Sequence, residues 1–232
     1  MKNPDAAPKK KARCGVHIDG FNCYFRVFRY RPEWKWLNVQ SFYENLRSSE
    51  EVIAIKYFTA IVEPKKPFSE TRERQMLYLN ALKTLPKLTV ILGKYQAREV
   101  RCLARCGEVY NVPEEKKTDV NIAVRLIDDA VKGAVDSMVL VSGDSDIEPA
   151  VQWVRENHPV IKVTVYIPTL APSWERGTSF YKSLGVACRD LPLGDVQMHL
   201  FPEMVPRQDG SLIQRPALWV AGKQDTGPRA AE

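Results

Sequence analysis

The sequence predicts an α/β protein with a mostly parallel sheet and helices on both of its faces. Apolar runs of strand length alternate with segments whose apolar residues recur at helical spacing. The length of 232 residues suits one sizeable domain with tails. Hydrophobic residues make up 44% and charged residues 27%, as in ordinary globular proteins. No apolar run approaches the ~20 residues of a membrane-spanning helix.

The first part of the chain is predicted to contain a tail, two strands and a helix. Residues 1–13 are rich in Pro, Ala and Lys, which predicts a disordered basic tail. Cys14–Ile18 is a short apolar run that predicts a buried strand. Glu51–Ile61 alternates and contains β-branched residues, which favours a second strand. Ser69–Leu85 has apolar residues at helical spacing, with Ser69 as the expected N-cap.

The middle of the chain is predicted to contain a strand, a charged hairpin or insertion, and a helix. Leu88–Leu92 is typical of a strand, and Lys94–Val112 indicates an exposed hairpin or insertion. Thr118–Lys132 predicts a helix. Its apolar stripe, expected to face the core, consists of Val120, Ala123, Val124, Ile127 and Val131.

The last part continues the alternation and then changes in composition. Strands are predicted at Ser137–Val141, Lys162–Ile167 and Val186–Leu191. Helices are predicted at Glu148–Asn157, with Pro149 in its first turn, and at Thr178–Leu184. Residues 195–232 are richer in Pro, Gly and Gln, which predicts a flexible tail. The predicted domain therefore covers residues 14–194.

The charge and the cysteines indicate the class of partner and the compartment. A net charge of +6 favours an anionic partner such as nucleic acid. The five cysteines lack the spacing of a disulfide framework, and no apolar export signal follows the N-terminus. We therefore expect reduced thiols and a cytoplasmic protein.

Four acidic residues follow or flank the predicted elements in a way that indicates a shared site. Asp19 ends an apolar strand, and Asp144 and Asp146 follow another strand after a Ser-Gly pair. Asp119 lies in the first turn of the predicted helix at Thr118. Because the carboxyl ends of strands line the ligand crevice in open α/β sheets, these acids are expected to meet at one edge.

Carboxylates that lie this close repel one another unless a cation neutralises them. Mg²⁺ and Mn²⁺ prefer oxygen ligands, can polarise a phosphodiester and can generate a hydroxide nucleophile. Lys116 and Lys117 directly precede Asp119 and are candidates to hold the substrate phosphate. Each motif alone also suits a plainer role: a turn at Asp19, a helix cap at Asp144, or a solvated pair of lysines. Their conjunction favours the metal site.

An aromatic and basic segment follows the first acid. Phe21 to Trp36 interleaves rings with cations, and Arg29, Arg31 and Trp34 are candidates for stacking bases and holding phosphates. The alternative is a helix whose rings face the core and whose arginines are solvated.

Three motifs together resemble the NYN domain family, part of the PIN-like nucleases. They are Val-His-Ile-Asp-Gly-Phe-Asn at 16–22, Lys-Lys-Thr-Asp-Val-Asn-Ile-Ala at 116–123 and Val-Ser-Gly-Asp-Ser-Asp at 141–146. The resemblance covers roughly Gly15 to Leu191 and implies a Rossmann-like sheet and Mg²⁺- or Mn²⁺-dependent cleavage of RNA. It implies that Asn22 is the polar neighbour in the first motif. It implies a set of metal-site acids: Asp19, Asp119, Asp144 and Asp146.

The sequence therefore predicts a metal-dependent ribonuclease, acting as an endonuclease on single-stranded RNA, with a homo-oligomeric state left open. The first alternative is a catalytically weak RNA-binding or adaptor module on the same fold. Clustered carboxylates facing phosphates would not help a pure binder, which favours the enzyme. The second alternative, a metal-dependent phosphatase, would be expected to carry Asp-x-Asp at the first strand, where this chain has Phe21.

Overall fold

The computed structural model describes residues 10–62, 70–101, 106–170 and 179–220. The strands are β1 (Arg13–Asp19), β2 (Glu51–Thr59), β3 (Leu88–Leu92), β4 (Lys94–Arg101), β5 (Val109–Lys116), β6 (Ser137–Val141), β7 (Lys162–Ile167), β8 (Ala187–Asp190), β9 (Met204–Pro206) and β10 (Leu212–Gln214). The helices are α1 (Gly20–Arg26), α2 (Val39–Leu46), α3 (Thr71–Leu82), α4 (Thr118–Val131), α5 (Glu148–Asn157) and α6 (Ser179–Ser183).

Six strands form one parallel sheet in the order β3-β2-β1-β6-β7-β8. The remaining strands form two antiparallel pairs, β4 with β5 and β9 with β10. This arrangement confirms the predicted α/β fold class with a mostly parallel, Rossmann-like sheet. The sheet strands β3, β6 and β7 have the bounds that the sequence predicts. In the described ranges, no helix is both long and apolar enough to cross a membrane.

Helices cover both faces of the sheet, and alternate side chains of β1 contact the helix layers on the two faces. Val16 and Ile18 belong to one core cluster, which also holds buried residues of α2 and α3. His17 points to the other face, where its Nε2 lies 2.9 Å from Asp129 of α4. Because successive strand residues point to opposite faces, a strand between two helix layers must be apolar throughout or carry a paired polar group.

The start of the chain is ordered from an earlier point than expected. Arg13, placed in the tail by the sequence, is the first residue of β1, and its guanidinium lies 2.8 Å from the Asp136 carboxylate. The α3 helix begins at Thr71. The expected N-cap Ser69 and residues 1–9 of the expected tail lie outside the described residues.

The α4 helix buries a different face from the one that the sequence analysis selects. The helix has the expected position, but Val120, Val124 and Val131 are more than half exposed. The core face consists of Thr118, Ile122, Leu126, Asp129 and Ala130. The prediction was wrong for these three valines because the helix carries two apolar stripes, whereas Ala123 and Ile127 of the predicted stripe are partly buried and pack against the core. The larger side chains of Ile122 and Leu126 fill the core, and the buried carboxylate in that face is paired.

The segment after residue 194 was predicted to be a flexible tail, but residues 195–220 pack onto the sheet layer that holds α2 and α3. Trp219 lies 6.1 Å from Trp36 between ring centroids, and Phe201 lies 5.8 Å from the same ring. Its apolar residues have neither helical nor strand spacing, which is why sequence periodicity missed them. Residues 221–232 lie outside the described residues.

Candidate active site

The sheet order places the predicted acids at the point where the chain changes direction. From β1 the chain builds outward through β2 and β3, and later returns to build β6, β7 and β8 on the other side of β1. The carboxyl ends of β1 and β6 therefore flank the crevice in which open α/β sheets bind ligands. Asp19 ends β1, and Asp144 follows β6 by three residues.

Asp19 is buried and serves as the cap of α1. One carboxylate oxygen accepts a hydrogen bond from the Asn22 backbone N–H at 2.9 Å. The other accepts from the Ser142 hydroxyl, also at 2.9 Å. Burial is the main cause that raises the pKa of Asp19 to about 6; the two hydrogen bonds oppose this rise, and the charges of Asp144 and Glu115 add to it.

The loop after β6 is held against the start of α1. The Gly143 backbone N–H donates to the Asn22 side-chain oxygen at 2.9 Å. The Asp144 N–H donates to the Ser142 hydroxyl at 3.1 Å, and the Asp146 N–H donates to an Asp144 carboxylate oxygen at 3.0 Å. Asp144 is therefore also the cap of a short 3-10 turn, which is the plainer role considered for it above. These bonds fix the two acidic segments relative to each other.

Asp119 comes from α4, whose start is organised by a fifth acid. The Glu115 carboxylate accepts hydrogen bonds from both the backbone N–H and the hydroxyl of Thr118. Burial is the main cause that raises the pKa of Asp119 to about 6. Negative charge from four other carboxylates raises it further, in the order Asp144, Asp19, Glu115 and Asp146. Asp119 therefore lies within electrostatic range of the other three predicted acids and of Glu115.

A cluster of mutually repelling oxygen donors has the chemistry of a site for a hard divalent cation. Among the described residues, however, no group of three or more His, Cys, Asp or Glu side chains is already arranged to bind a metal ion. The carboxylates of Asp19 and Asp144 instead accept hydrogen bonds from backbone N–H groups. The donor set suits Mg²⁺ or Mn²⁺, provided that carboxylates rotate when the ion binds.

Cations lie beside the acids. Lys116 and Lys117 are exposed just before α4, and Lys117 has a left-handed backbone with φ of 78°. A non-glycine residue in this conformation stores strain, a feature that clusters at functional sites. The Arg26 guanidinium approaches Gly143 so closely that a β-carbon there would lie 3.0 Å from it. Arg26 belongs to the predicted aromatic and basic segment but was not among its selected candidates.

The predicted aromatic contacts separate into two groups. Arg29 lies over the rings of Phe25 and Tyr30, at 6.0 and 5.0 Å from their centroids. Arg31 lies 5.2 Å from the Trp34 ring, whose indole packs against the core cluster.

The rings of residues 30–36 differ in burial. Tyr30 is exposed, whereas Trp34 is half-buried and Trp36 is fully buried. The structure does not join Arg31 and Trp34 to the acids, since they contact each other and Arg31 pairs with Glu33 at 3.8 Å.

Sequence reasoning missed three residues at this edge: Ser142, Glu115 and Arg26. Ser142 lies inside the third motif and Glu115 directly precedes the second, so their positions were a usable signal. Arg26 lies seven residues after Asp19, which places it two helical turns along α1. The spacing from Asp19 does not indicate a role for Arg26, because Arg26 bonds to Gly143, which lies on a distant segment of the sequence.

Comparison with known proteins agrees with the geometry of the fold. A crystal structure of a protein of unknown function from Vibrio parahaemolyticus matches with a TM-score of 0.51 and 22% identity, covering 84% of this chain and 100% of that one. A curated relative, 6-hydroxy-3-succinoylpyridine 3-monooxygenase HspA of Pseudomonas putida, is 27% identical over 89% of this chain and 75% of its own length. The structural match supports the fold alone.

The family comparison covers most of the chain. The NYN domain matches residues 13–181, a span that runs from the first residue of β1 to α6 and includes all five acids. It agrees with the resemblance carried by the three motifs and with the observed sheet. The chain therefore belongs to the NYN domain family, a nuclease-like family of the PIN-like group whose members generally depend on a divalent metal.

Proposed function

We propose that this protein is a metal-dependent ribonuclease, acting as an endonuclease on RNA. The observation that carries the proposal is the electrostatic coupling of Asp119 to the other carboxylates at the switch point between β1 and β6. Such a cluster costs folding free energy and offers a cation several oxygen ligands. Membership of the NYN domain family supports a nuclease.

The residues of the site have distinct proposed roles. A divalent ion, Mg²⁺ or Mn²⁺, would be held by Asp19, Asp119, Asp144 and Asp146. When bound, it would supply a Lewis acid for the phosphodiester and an activated water. Asn22 and Ser142 orient the acidic segments through hydrogen bonds to Gly143 and Asp19. Lys116, Lys117 and Arg26 would attract the phosphates next to the scissile bond.

The direct test is incubation with end-labelled single-stranded RNA in Mg²⁺, in Mn²⁺ and in EDTA. Asp19→Asn and Asp144→Asn should each abolish cleavage while circular dichroism remains unchanged. A matched control is Asp136→Asn, since Asp136 pairs with Arg13 at the opposite edge of the sheet and should be dispensable for cleavage. Full cleavage in EDTA, or by both site variants, would contradict the proposal.

A catalytically weak RNA-binding module remains the alternative on the same fold. It predicts RNA binding in EDTA with no cleavage in either metal. It also predicts that Asp144→Asn binds RNA more tightly, because a negative charge facing the phosphates is removed. A nuclease predicts metal-dependent products that disappear in the same variant.

A second candidate function rests on the curated relative. Its name describes a monooxygenase that acts on a hydroxylated pyridine, and the similarity covers 89% of this chain. The rings of Phe21 and Tyr95, which meet edge-on at 5.7 Å near Asp19, would give a flat heterocycle an aromatic surface to pack against. Oxygen uptake with 6-hydroxy-3-succinoylpyridine and a reduced nicotinamide, and a product one oxygen atom heavier, would favour this candidate over the nuclease.

A further inference from the structure

The surface next to the acids carries two large aromatic side chains that no apolar core covers. Phe25 is 44% exposed and Tyr30 is 60% exposed. The Arg29 guanidinium lies between them, over both rings. A cation held over aromatic faces forms a flat surface that is both apolar and positive.

This surface is continuous with the acidic site. Phe21 and Phe25 are four residues apart on α1, so their rings lie on one face of the helix, 6.0 Å apart and inclined by only 18°. Phe21 in turn meets the Tyr95 ring of β4 edge-on at 5.7 Å. Tyr95 pairs with Glu115 across the hairpin. We call Tyr95, Phe21, Phe25, Arg29 and Tyr30 the aromatic strip.

The position of the strip relative to the acids is fixed by the backbone. Asp19 caps α1, and Phe21 is the second residue of that helix. Phe21 therefore lies two residues from a proposed metal ligand, and the strip continues along α1 to Phe25 and then to Arg29 and Tyr30 in the 3-10 turn Phe28–Tyr30. A chain lying along it would enter the acidic edge at a defined point.

We propose that the aromatic strip is a stacking platform for the bases of single-stranded nucleic acid, which leads the phosphodiester backbone to the acids at the end of β1. The proposal rests on the proposed nuclease function and adds the strand type and the direction of approach. Aromatic rings accept any base because every base has a flat face, and Arg29 adds attraction for the same faces. Bases already paired in a duplex offer no such face.

The test is a binding measurement in EDTA, where proposed cleavage cannot occur. Fluorescence anisotropy would follow wild type and variants with a labelled oligoribonucleotide of mixed sequence. Phe25→Leu and Tyr30→Leu keep apolar bulk and remove the flat ring, and each should weaken binding by about 5- to 150-fold. Phe25→Trp should restore or strengthen it. Melting temperatures would establish that the variants are folded.

Two controls make the result specific to stacking. Val160→Ala removes an 85%-exposed apolar side chain just before β7, at the opposite edge of the sheet, and should leave binding unchanged. An abasic oligonucleotide of the same length, and duplex RNA, should bind wild type and Phe25→Leu equally. Equal affinity of the leucine variants and wild type for single strands would overturn the platform, as would equal losses on the abasic strand.

The outcome is separable from that of the nuclease proposal. Ring-dependent binding without cleavage in Mg²⁺ or Mn²⁺ would support the platform and contradict the nuclease. Cleavage by wild type with an unchanged KM in Phe25→Leu and Tyr30→Leu would support the nuclease and overturn the platform. Failure of wild type to bind single-stranded RNA would also overturn the platform.

Discussion

Replacing Asp19 by Asn in the metal-free protein should raise its stability at pH 8 and leave it nearly unchanged at pH 4. Burial raises the pKa of Asp19 from 3.8 to about 6. A carboxyl whose pKa is raised by folding binds its proton more tightly in the folded state. The free energy of unfolding therefore falls as the pH rises from about 4 through 6, and an uncharged Asn escapes that loss.

The size of the gain follows from the same shift. Each tenfold change in proton affinity is worth ~1.4 kcal/mol, so the rise to about 6 sets a ceiling of ~3 kcal/mol at pH 8. Asn caps a helix about as well as Asp, so the bond from the Asn22 N–H is retained. The new amide group would meet the Ser142 hydroxyl, which must turn and lose its acceptor at a cost of ~1 kcal/mol. We expect a net gain of ~1–2 kcal/mol.

Urea unfolding in EDTA at pH 4, 6 and 8, followed by circular dichroism, measures this difference. Asp136→Asn is the matched control with the opposite sign, because Arg13 lowers the pKa of Asp136 to about 2. The control should lose stability at pH 8 and lose less as the pH falls towards 2. A loss of stability in Asp19→Asn that is equal at pH 4 and pH 8 would refute the reasoning.

The remaining predictions use thermal or chemical unfolding. Saturating Mg²⁺ or Mn²⁺ should stabilise wild type, by ~2.7 kcal/mol at a hundredfold excess over the dissociation constant, and should stabilise Asp144→Asn much less. Gly20→Ala should cost ~1–3 kcal/mol, because its β-carbon would lie 2.7 Å from the Phe58 carbonyl oxygen. Asp129→Ala should cost ~3 kcal/mol at pH 7, the lower end for a buried pair, because it removes the carboxylate partner of Lys56, which keeps some solvent access. The loss should shrink in acid, where wild type also loses the stability that the lowered pKa of Asp129 provides. Trp34→Ala should lower the melting temperature and leave RNA affinity unchanged, because its ring packs against the core.

The sheet was predictable from the sequence because its central strands are buried on both faces. Ser137–Val141 is buried at every position and has no polar residue after its first. A run of this kind needs no knowledge of its partners to be recognised as a strand. The alternation of such runs with helical segments then determines the fold class, and the parallel order follows from the helical connections.

The buried face of α4 was not predictable in the same way. Val120 and Val124 make a regular stripe, yet Ile122 and Leu126 face the core. The buried face also carries Asp129, whose partner His17 lies in β1. The sequence of a helix does not specify the strand against which the helix packs. Periodicity alone therefore cannot decide which of two apolar stripes is buried.

In the candidate site too, some residues can be recognised from the neighbouring sequence, whereas others depend on contacts with distant segments. The four predicted aspartates lie next to strand ends and a helix start, which local patterns reveal. Glu115 also lies beside a helix start, three residues before Thr118, so local pattern was within reach of it. Only its position opposite Tyr95 depends on the hairpin register. Arg26 depends on the approach of α1 to the loop at Gly143. Long-range pairing of this kind is absent from any short window of sequence.

The hairpin of β4 and β5 shows why an apparent insertion belongs to the site. Glu115 on β5 binds Thr118 at the start of α4, and its charge reaches the acids. Its cross-strand partner Tyr95 contacts Phe21 on α1. At Gly93 a β-carbon would lie 2.5 Å from the Thr118 hydroxyl and 2.8 Å from the Glu115 carboxylate. Only glycine allows this approach, so one close junction holds the hairpin, α4 and the aromatic strip in a fixed relation to the acids.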